Sequence, residues 1–449
     1  MTRSEQSISN ALIVADGHRG DLPLLSILGM PVLVRTLFAL ERAGIADAYV
    51  MAGDQSDKLK SAVDRMDRLE IEIHWIEHAS QLPESFDEPV VLVMGGRVFE
   101  PGVVATLRKN SRGFKGIDFA VDRGTDTGIA LASPTALRRI QDSIAQTGGC
   151  IDPSGVRALT DDDLVRDVEV GGLIWHAIER TADALQAERK LISGVRKSSD
   201  GPISKNINRP ISTTISRFLS KTPVTPNQVT LVTLIIGLAT GVVATIGGYW
   251  GFLATGLLFQ LTSILDGVDG ELAKLTYRGS RSGEWFDTIS DNITYVAFLL
   301  GLIVGVYRSD IAPVFFYLGI LGLVLALLTF VNIYTYLALQ KKSGSFLAVN
   351  YGFEQGGGWL KRFLRVVQYL GKRDLMAFLV MLLAIAGQIQ WVLALFGVGA
   401  ATLLFPASVK ATVGMLWRER RARAAQAVET VKVGRPSGGH TRPDPRVST

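Results

Sequence analysis

The chain has 449 residues, a net charge of +5 and a mean hydropathy of +0.26, a length that suits two or three domains. Its single cysteine, Cys150, excludes an internal disulfide and any thiolate cluster, and reads as a small buried apolar residue. The basic residues crowd beside apolar stretches, a pattern that favours anionic lipid and membrane topology over nucleic acid as their counterpart.

The charge is unevenly spread. Charged residues make up 20% of the chain, yet they concentrate in the first part and in the last thirty or so residues, while the region from Thr230 to Trp417 is mostly apolar. The mean hydropathy therefore averages a soluble domain and a membrane domain. Met1 to Asn10 lacks a basic start followed by an apolar core, so no cleaved signal peptide is expected.

The first part alternates by type. ALIVA (11–15), DAYVMAG (47–53), IEIHWIE (71–77), PVVLVMG (89–95), DFAVD (118–122) and TGIALAS (127–133) read as strands, with helical patterns between them and a helix after Pro134. Such alternation predicts an α/β domain with a largely parallel sheet, over residues 1–187. The segment ALIVADGHRGDLPLLSILGMPVLVRTLFAL resembles the sugar-nucleotide and cytidylyltransferase family in its strand, glycine-rich loop, Ile-x-Gly-x-Pro-Leu-like segment and first helix. That resemblance implies a loop whose backbone N–H groups hold nucleotide phosphates. This chain departs from the pattern. Gly17 and Arg19 are present, but Asp16 stands where a small residue is usual and Leu24 where the family has lysine. Gly96 stands where a metal-binding aspartate ends the strand, and the segment expected to hold a second aspartate offers His176 and Glu179 instead. Nucleotidyl transfer needs metal compensation for the triphosphate and its leaving pyrophosphate. The domain is therefore expected to be catalytically silent while still able to bind a nucleotide, a regulator or the second domain.

Residues 188–228 form a basic linker. From Ile207 to Leu219 its apolar residues recur at helical spacing, which predicts a short amphipathic helix at the membrane surface, with an ordinary linker helix as the alternative. Six spans are expected over 229–418, near Thr230–Gly247, Tyr249–Asp266, Trp285–Val306, Ile311–Leu339, Leu375–Gly387 and Trp391–Trp417. The connections GGYWG, YRSDI and GQIQW hold only Arg308 as a basic residue, whereas the others hold Lys274, Arg278, Arg281, Lys372, Arg373, Arg418 and further cations. The positive-inside rule puts the richly basic connections, the α/β domain, the tail 419–449 and both termini in the cytoplasm. The tail is Pro/Gly-rich and reads as disordered.

Acids interrupt the apolar region. Asp266 and Asp269 lie three residues apart and Asp287 and Asp291 four apart, so each pair occupies one face of its own helix. Carboxylates inside spanning segments cost a few kcal/mol without a partner or an ion, and two such faces can meet around hard divalent cations. Topology sets all four at the cytoplasmic ends of their helices. Asp266-x-x-Asp269-Gly270-x-x-Ala273, then Gly283-x-x-x-Asp287-x-x-x-Asp291, resembles the signature of the CDP-alcohol phosphatidyltransferase family at full length, and Pro226-Asn227-Gln228-Val229-Thr230 is similar to that family's entry into the first span. One departure is Lys274, which stands where the family has arginine and lacks the bidentate fork.

The resemblance implies transfer of a substituted phosphoryl group from a CDP-linked alcohol to an acceptor hydroxyl, with release of CMP. It implies two divalent ions, Mg2+ or Mn2+, held mainly by Asp266, Asp269 and Asp287. Asp291 would complete the metal site and act as general base, with Asp287 beside it in catalysis. Asp266, Gly270, Ala273, Lys274 and Gly283 would receive the CDP moiety, although close helix packing explains each glycine as well. An acceptor bearing a phosphate would need cations at the cytoplasmic surface, for which Lys372 and Arg373, then Lys205 and Arg209, are candidates, topology being the plainer reason for their presence. Two architectures are thus joined, an α/β nucleotidyltransferase-like (Rossmann-like) cytoplasmic domain followed by an all-α six-helix transmembrane domain. This order resembles the bifunctional inositol-1-phosphate cytidylyltransferase and di-inositol-phosphate phosphate synthase proteins. The implied partners are a CDP-alcohol donor, an alcohol or polyol-phosphate acceptor, membrane lipid and a second copy of the membrane domain, with no nucleic acid; the implied location is the cytoplasmic membrane. Two other readings are an active bifunctional enzyme making di-inositol phosphate and a cation transporter. The transporter would place its acids at the bilayer midplane on broken, repeated helices, whereas these lie at one surface and no repeat is present.

Overall fold

A computed structural model describes residues 8–15, 21–66, 68–111, 115–147, 153–158, 164–196, 200–340 and 373–401, with scattered positions from 405 to 420. Cys150, Asp16, Gly17, Arg19, Lys372 and the tail 421–449 lie outside them. Contacts divide the chain into two compact units, Met1–Pro226 with Gly267–Gly279, and Asn227–Asp266 with Ser280–Thr449.

In the first unit the strands are β1 (Asn10–Val14), β2 (Ser26–Ile27), β3 (Met30–Pro31), β4 (Asp47–Met51), β5 (Glu72–Ile76), β6 (Val90–Met94), β7 (Gly96–Phe99), β8 (Ile117–Asp122), β9 (Thr125–Ala132), β10 (Val165–Glu169) and β11 (Trp175–Ile178). The helices are α1 (Val32–Arg42), α2 (Ser56–Asp64), α3 (Gly102–Asn110), α4 (Pro134–Thr147), α5 (Pro153–Ala158), α6 (Asp183–Val195) and α7 (Arg209–Leu219). The main sheet has the order β10-β8-β9-β6-β1-β4-β5, parallel except where β9 pairs antiparallel with β6 and β8. The strand side chains alternate between two cores. Ala11, Ile13, Val91 and Val93 meet α1 and α3 on one face, and Leu12, Val14, Leu92 and Phe119 meet α4 and α5 on the other. The near-continuous apolar runs of the sequence follow from that double burial.

The sequence does not foretell β7 and β11. Gly95, at φ +74°, turns the chain at the end of β6, and Gly96 opens a two-stranded antiparallel ribbon in which it pairs with Ile178. A left-handed φ suits glycine, which is why VVLVMGG breaks there.

The second unit is helical. Its helices are α8 (Pro226–Ala244), α9 (Gly248–Leu275), α10 (Arg281–Arg308), α11 (Pro313–Gln340) and two shorter ones, Arg373–Ile385 and Trp391–Gly399; the C-terminal part of α9 belongs to the first unit. Among the described residues, four helices, α8 to α11, are long and apolar enough to cross a membrane. The helix ends differ from the expected span ends. Helix α9 runs on past Asp266 to Leu275, and α10 begins at Arg281 rather than Trp285. Charge ends an apolar window without ending a helix, because the backbone bonds continue until a residue or cap stops them.

Small residues bring α8 and α10 close. A Cβ on Gly301 would collide with the Gly241 carbonyl, and one on Gly305 with the Ala244 carbonyl, so the backbones touch at Gly241 and Ala244 of α8, while Gly237 lies against the Thr294 side chain. This packing sets the rotation of α10, the helix that carries Asp287 and Asp291. Phe252 and Phe259 of α9, with Phe298 and Leu302 of α10, fill the core between the helices.

Candidate active site

Asp266 of α9 and Asp287 and Asp291 of α10 each offer one carboxylate oxygen, and these oxygens all lie within 4.8 Å of one another. The residues are half-buried. A wholly oxygen donor set of this compactness fits a hard divalent cation rather than a soft one. Like charges so close also repel, and the protein supplies a cation of its own. Arg373 Nη1 donates to Asp266 Oδ1 at 2.6 Å and to Asp291 Oδ1, while its guanidinium lies 5.6 Å from the centre of the Tyr295 ring. Arg373 thus joins the carboxylates from its place at the start of its own helix.

Asp269 is one turn further along α9. It is buried, and its Oδ1 accepts from the backbone N–H of Gly270; it does not belong to the three-carboxylate group. The two glycines of the motif part company. A Cβ at Gly270 would meet no described atom within 4 Å, whereas one at Gly283 would lie 3.0 Å from Asn227 Oδ1 and 3.1 Å from Ser280 Oγ. Packing therefore accounts for Gly283 and leaves Gly270 to be explained by what approaches from outside. Ser280 caps α10 by accepting from the Gly283 N–H, the geometry of a serine N-cap. Ala273 is half-buried and Lys274 exposed.

Arg209 has carboxylate partners. It donates to both oxygens of Asp200, at 2.8 and 3.1 Å, and to Glu271 Oε1 at 2.5 Å. Glu271 also accepts from Ser212 Oγ and Ser216 Oγ, each at 2.7 Å, and its side chain is 1% exposed. The polar face of α7 is thus buried on Glu271, while Ile211 and Phe218 remain 45% and 71% exposed. Lys205 is exposed in the π-helical turn Ser204–Asn208 that precedes α7. The sequence does not single out Glu271, because its burial and its partners on α7 arise only from tertiary packing.

In the α/β domain, the two positions expected to carry metal-binding aspartates fall on β7 and β11. Gly96 faces Ile178, and a Cβ there would stand 3.1 Å from the Ile178 carbonyl; His176 faces Val98. The His176 Nε2 has no hydrogen-bond partner among the described residues, and burial, then nearby Lys190, pushes its pKa down. Gly96 and His176 present no carboxylate, and Glu179 follows the end of β11, where its backbone N–H donates to Asp183 Oδ2.

Residues 223–405 match the CDP-alcohol phosphatidyltransferase family model. The matched segment contains all four motif aspartates and Arg373. Among curated proteins, the chain is 30% identical over 255 residues to the bifunctional IPC transferase and DIPP synthase of Aquifex aeolicus, covering 56% of this chain and 53% of that one. It is 32% identical over 231 residues to the protein of the same name from Archaeoglobus fulgidus, covering 51% and 42%. The chain thus spans about half the length of the curated relatives it matches. Among solved structures, an inositol-1-phosphate CTP transferase from T. maritima aligns with a TM-score of 0.35 and 15% identity, over 43% of this chain and 99% of that one.

Proposed function

We propose that this chain is an integral-membrane CDP-alcohol phosphotransferase that moves a substituted phosphoryl group from a CDP-linked alcohol to an acceptor hydroxyl and releases CMP. The observation that carries the reading is the meeting of Asp266, Asp287 and Asp291 within 4.8 Å, inside the segment that matches the family. Two ions, Mg2+ or Mn2+, would be the cofactors, held by Asp266, Asp287 and Asp291, with Asp269 as the further ligand that the family resemblance implies. When bound, they would offset the charge that builds up on the attacked phosphate and on departing CMP. The chain's own residues do the rest. Asp291 takes the proton of the acceptor hydroxyl as its oxygen bonds to the phosphorus bearing the alcohol and the bond to the CMP oxygen breaks. Gly270, with no described atom within 4 Å of a Cβ there, would leave room for the cytidine beside α9; Ala273, Lys274 and Gly283 would join it, as the family resemblance implies. Arg373, which joins Asp266 and Asp291, would offer its guanidinium to a phosphate, and a bidentate fork suits that task. Lys372 and Lys205 are secondary candidates for the acceptor; Arg209 is disfavoured by its carboxylate partners.

Six spans are proposed, α8 to α11 with the two helices that begin at Arg373 and Trp391, and with the basic connections, both termini and the site on the cytoplasmic side of the inner membrane. Membrane lipid surrounds these helices, and a homodimer forms through them. A polyol-phosphate product is favoured over a phospholipid by the similarity to bifunctional IPC transferase and DIPP synthase proteins; CDP-inositol and an inositol phosphate are then the proposed substrates. The α/β domain contributes no nucleotidyl transfer, because Gly96 stands at its first metal position and the second segment offers His176 and Glu179 but no aspartate.

Purified protein with Mg2+ or Mn2+ is expected to release CMP when CDP-inositol or CDP-diacylglycerol is paired with a polyol or polyol phosphate, and Asp287→Ala is expected to abolish that release. Unchanged turnover in the variant would refute the site. Incubation with CTP and inositol 1-phosphate is expected to yield no CDP-inositol; its formation would establish the bifunctional reading instead.

A further inference from the structure

Between the two halves of the aspartate motif lies a connection whose surroundings the proposed chemistry does not use. Helix α9 ends at Leu275, and α10 begins at Arg281. Leu275 is 3% exposed and packs with Ile27, Leu28, Val32, Val98 and Ile178 of the α/β domain. Two residues on, the Tyr277 ring stacks on Phe38 of α1, with centroids 5.3 Å apart and planes inclined by 10°. The hydroxyl lies beside the Arg35 guanidinium, a cation 1% exposed whose Nε donates to the Ile27 carbonyl at 3.0 Å. Arg42 Nη2 donates to the carbonyls of Tyr277 and Gly279, both at 3.3 Å, and Arg278 Nη1 donates to those of Pro223 and Val224 at 3.2 and 3.1 Å.

Arg35, Phe38 and Arg42 recur at helical spacing and so share one face of α1. They meet the connection with a cation for the hydroxyl, a ring for the ring and a donor for the carbonyls. Tyr277 itself sits at φ +54°, a conformation uncommon outside glycine and retained only where the surroundings over-determine it. A surface loop joining two membrane helices would need none of this.

We propose that the α/β domain is the socket for Tyr277, and that by seating it the domain holds in place the last turns of α9, from Asp269 to Ala273, which carry the second part of the first motif half. Tyr277, Phe38 and Arg42 are positioning residues, remote from the reacting atoms. The inference rests on the phosphotransferase reading for its kinetic consequence and stands apart from it for its structural one. The physical basis is the sensitivity of in-line transfer to placement, since a shift of about 1 Å in a reacting group can cost on the order of 100-fold.

The experiment uses the full-length protein in detergent and reads two quantities, CMP release and the affinity for Mn2+ followed by electron paramagnetic resonance. Tyr277→Ala is expected to lower kcat by about tenfold or more and to weaken Mn2+ binding by about fivefold, with the acceptor KM within about twofold of its original value. Tyr277→Phe keeps the stacked ring and is expected to recover most of both losses. Wild-type kcat and Mn2+ affinity in Tyr277→Ala, or no recovery in Tyr277→Phe, would overturn the socket. Should Tyr277→Ala fail to fold, Phe38→Leu and Arg42→Ala test the same contacts from the α/β side, and wild-type behaviour in both would likewise overturn it. Asp287→Ala separates the two ideas: persistent CMP release in that variant sinks the phosphotransferase site, whereas the Mn2+ response of the Tyr277 variants still judges the socket.

Discussion

Single residues decide what each part of the motif does. Gly270 and Gly283 carry the same letter in the sequence, and only the space around them separates a glycine required by packing from one open to the outside. Gly270→Ala should therefore fold as well as the parent or better, since alanine in a helix interior is favoured over glycine by about 1 kcal/mol. It should nevertheless raise the KM for the CDP donor in a CMP-release assay, with an unchanged or higher melting temperature as the control. Glu188 makes a second case. Burial raises its pKa, but hydrogen bonds from Lys221, Arg217 and the Leu28 N–H outweigh burial and hold it below the ordinary glutamate value of 4.5. A carboxylate with a depressed folded pKa stabilises the fold fully above the unfolded pKa and loses that contribution as pH falls through the folded one. The stability advantage of the parent over Glu188→Gln should then be constant from pH 7 to about 6 and shrink progressively below about 4.5, as read by thermal unfolding in detergent.

Elements reveal how far helical periodicity alone can be trusted. The spacing from Ile207 to Leu219 predicts an amphipathic helix, and α7 is one, but its buried face is polar and its apolar face is open. A helix that buries serines and arginine while exposing Ile211 and Phe218 is suited to lie against lipid on its apolar side. The partner that makes this possible, Glu271, is far away in sequence, and no local pattern points to it. Helix α10 shows the reverse. Its glycines could be read as substrate clearance or as packing, and at Gly301 and Gly305 the neighbouring backbone of α8 leaves only packing. Gly301→Val should destabilise the membrane domain by about 1–3 kcal/mol or more, because overpacking forces the backbones apart. The loss should appear as a lower melting temperature and as weakened Mn2+ binding, since α10 carries two of the three clustered carboxylates.

At the scale of the whole molecule, charge and hydropathy carry the architecture. The mixed composition separates an α/β region from a helical one, and the described residues hold the mixed sheet and four helices long and apolar enough to cross a membrane. The proposed orientation follows from the connections, of which GGYWG, YRSDI and GQIQW hold only Arg308 as a basic residue. In a Cys150→Ser background, Gln390→Cys should react with an impermeant thiol reagent added outside intact cells, whereas Ser437→Cys should react only after the membrane is opened. The reverse pattern would invert the topology and move the carboxylates to the outer face.

The amino-acid sequence by itself determines the periodic elements and the motif. Apolar runs of strand length, the spacing of Asp266, Asp269, Asp287 and Asp291, and the distribution of lysine and arginine are local or compositional signals, and hydrophobic burial converts them directly into strands, helices and sides of a membrane. The tertiary structure alone decides which of those residues meet. The gathering of Asp266 with Asp287 and Asp291, the bridging by Arg373, the burial of Glu271 on α7, the ribbon that brings Gly96 against Ile178 and the seating of Tyr277 on Phe38 all join residues distant in the chain. Such contacts depend on the packing of whole elements, where one close approach of backbones sets many side chains at once, and no periodicity along the chain encodes that choice.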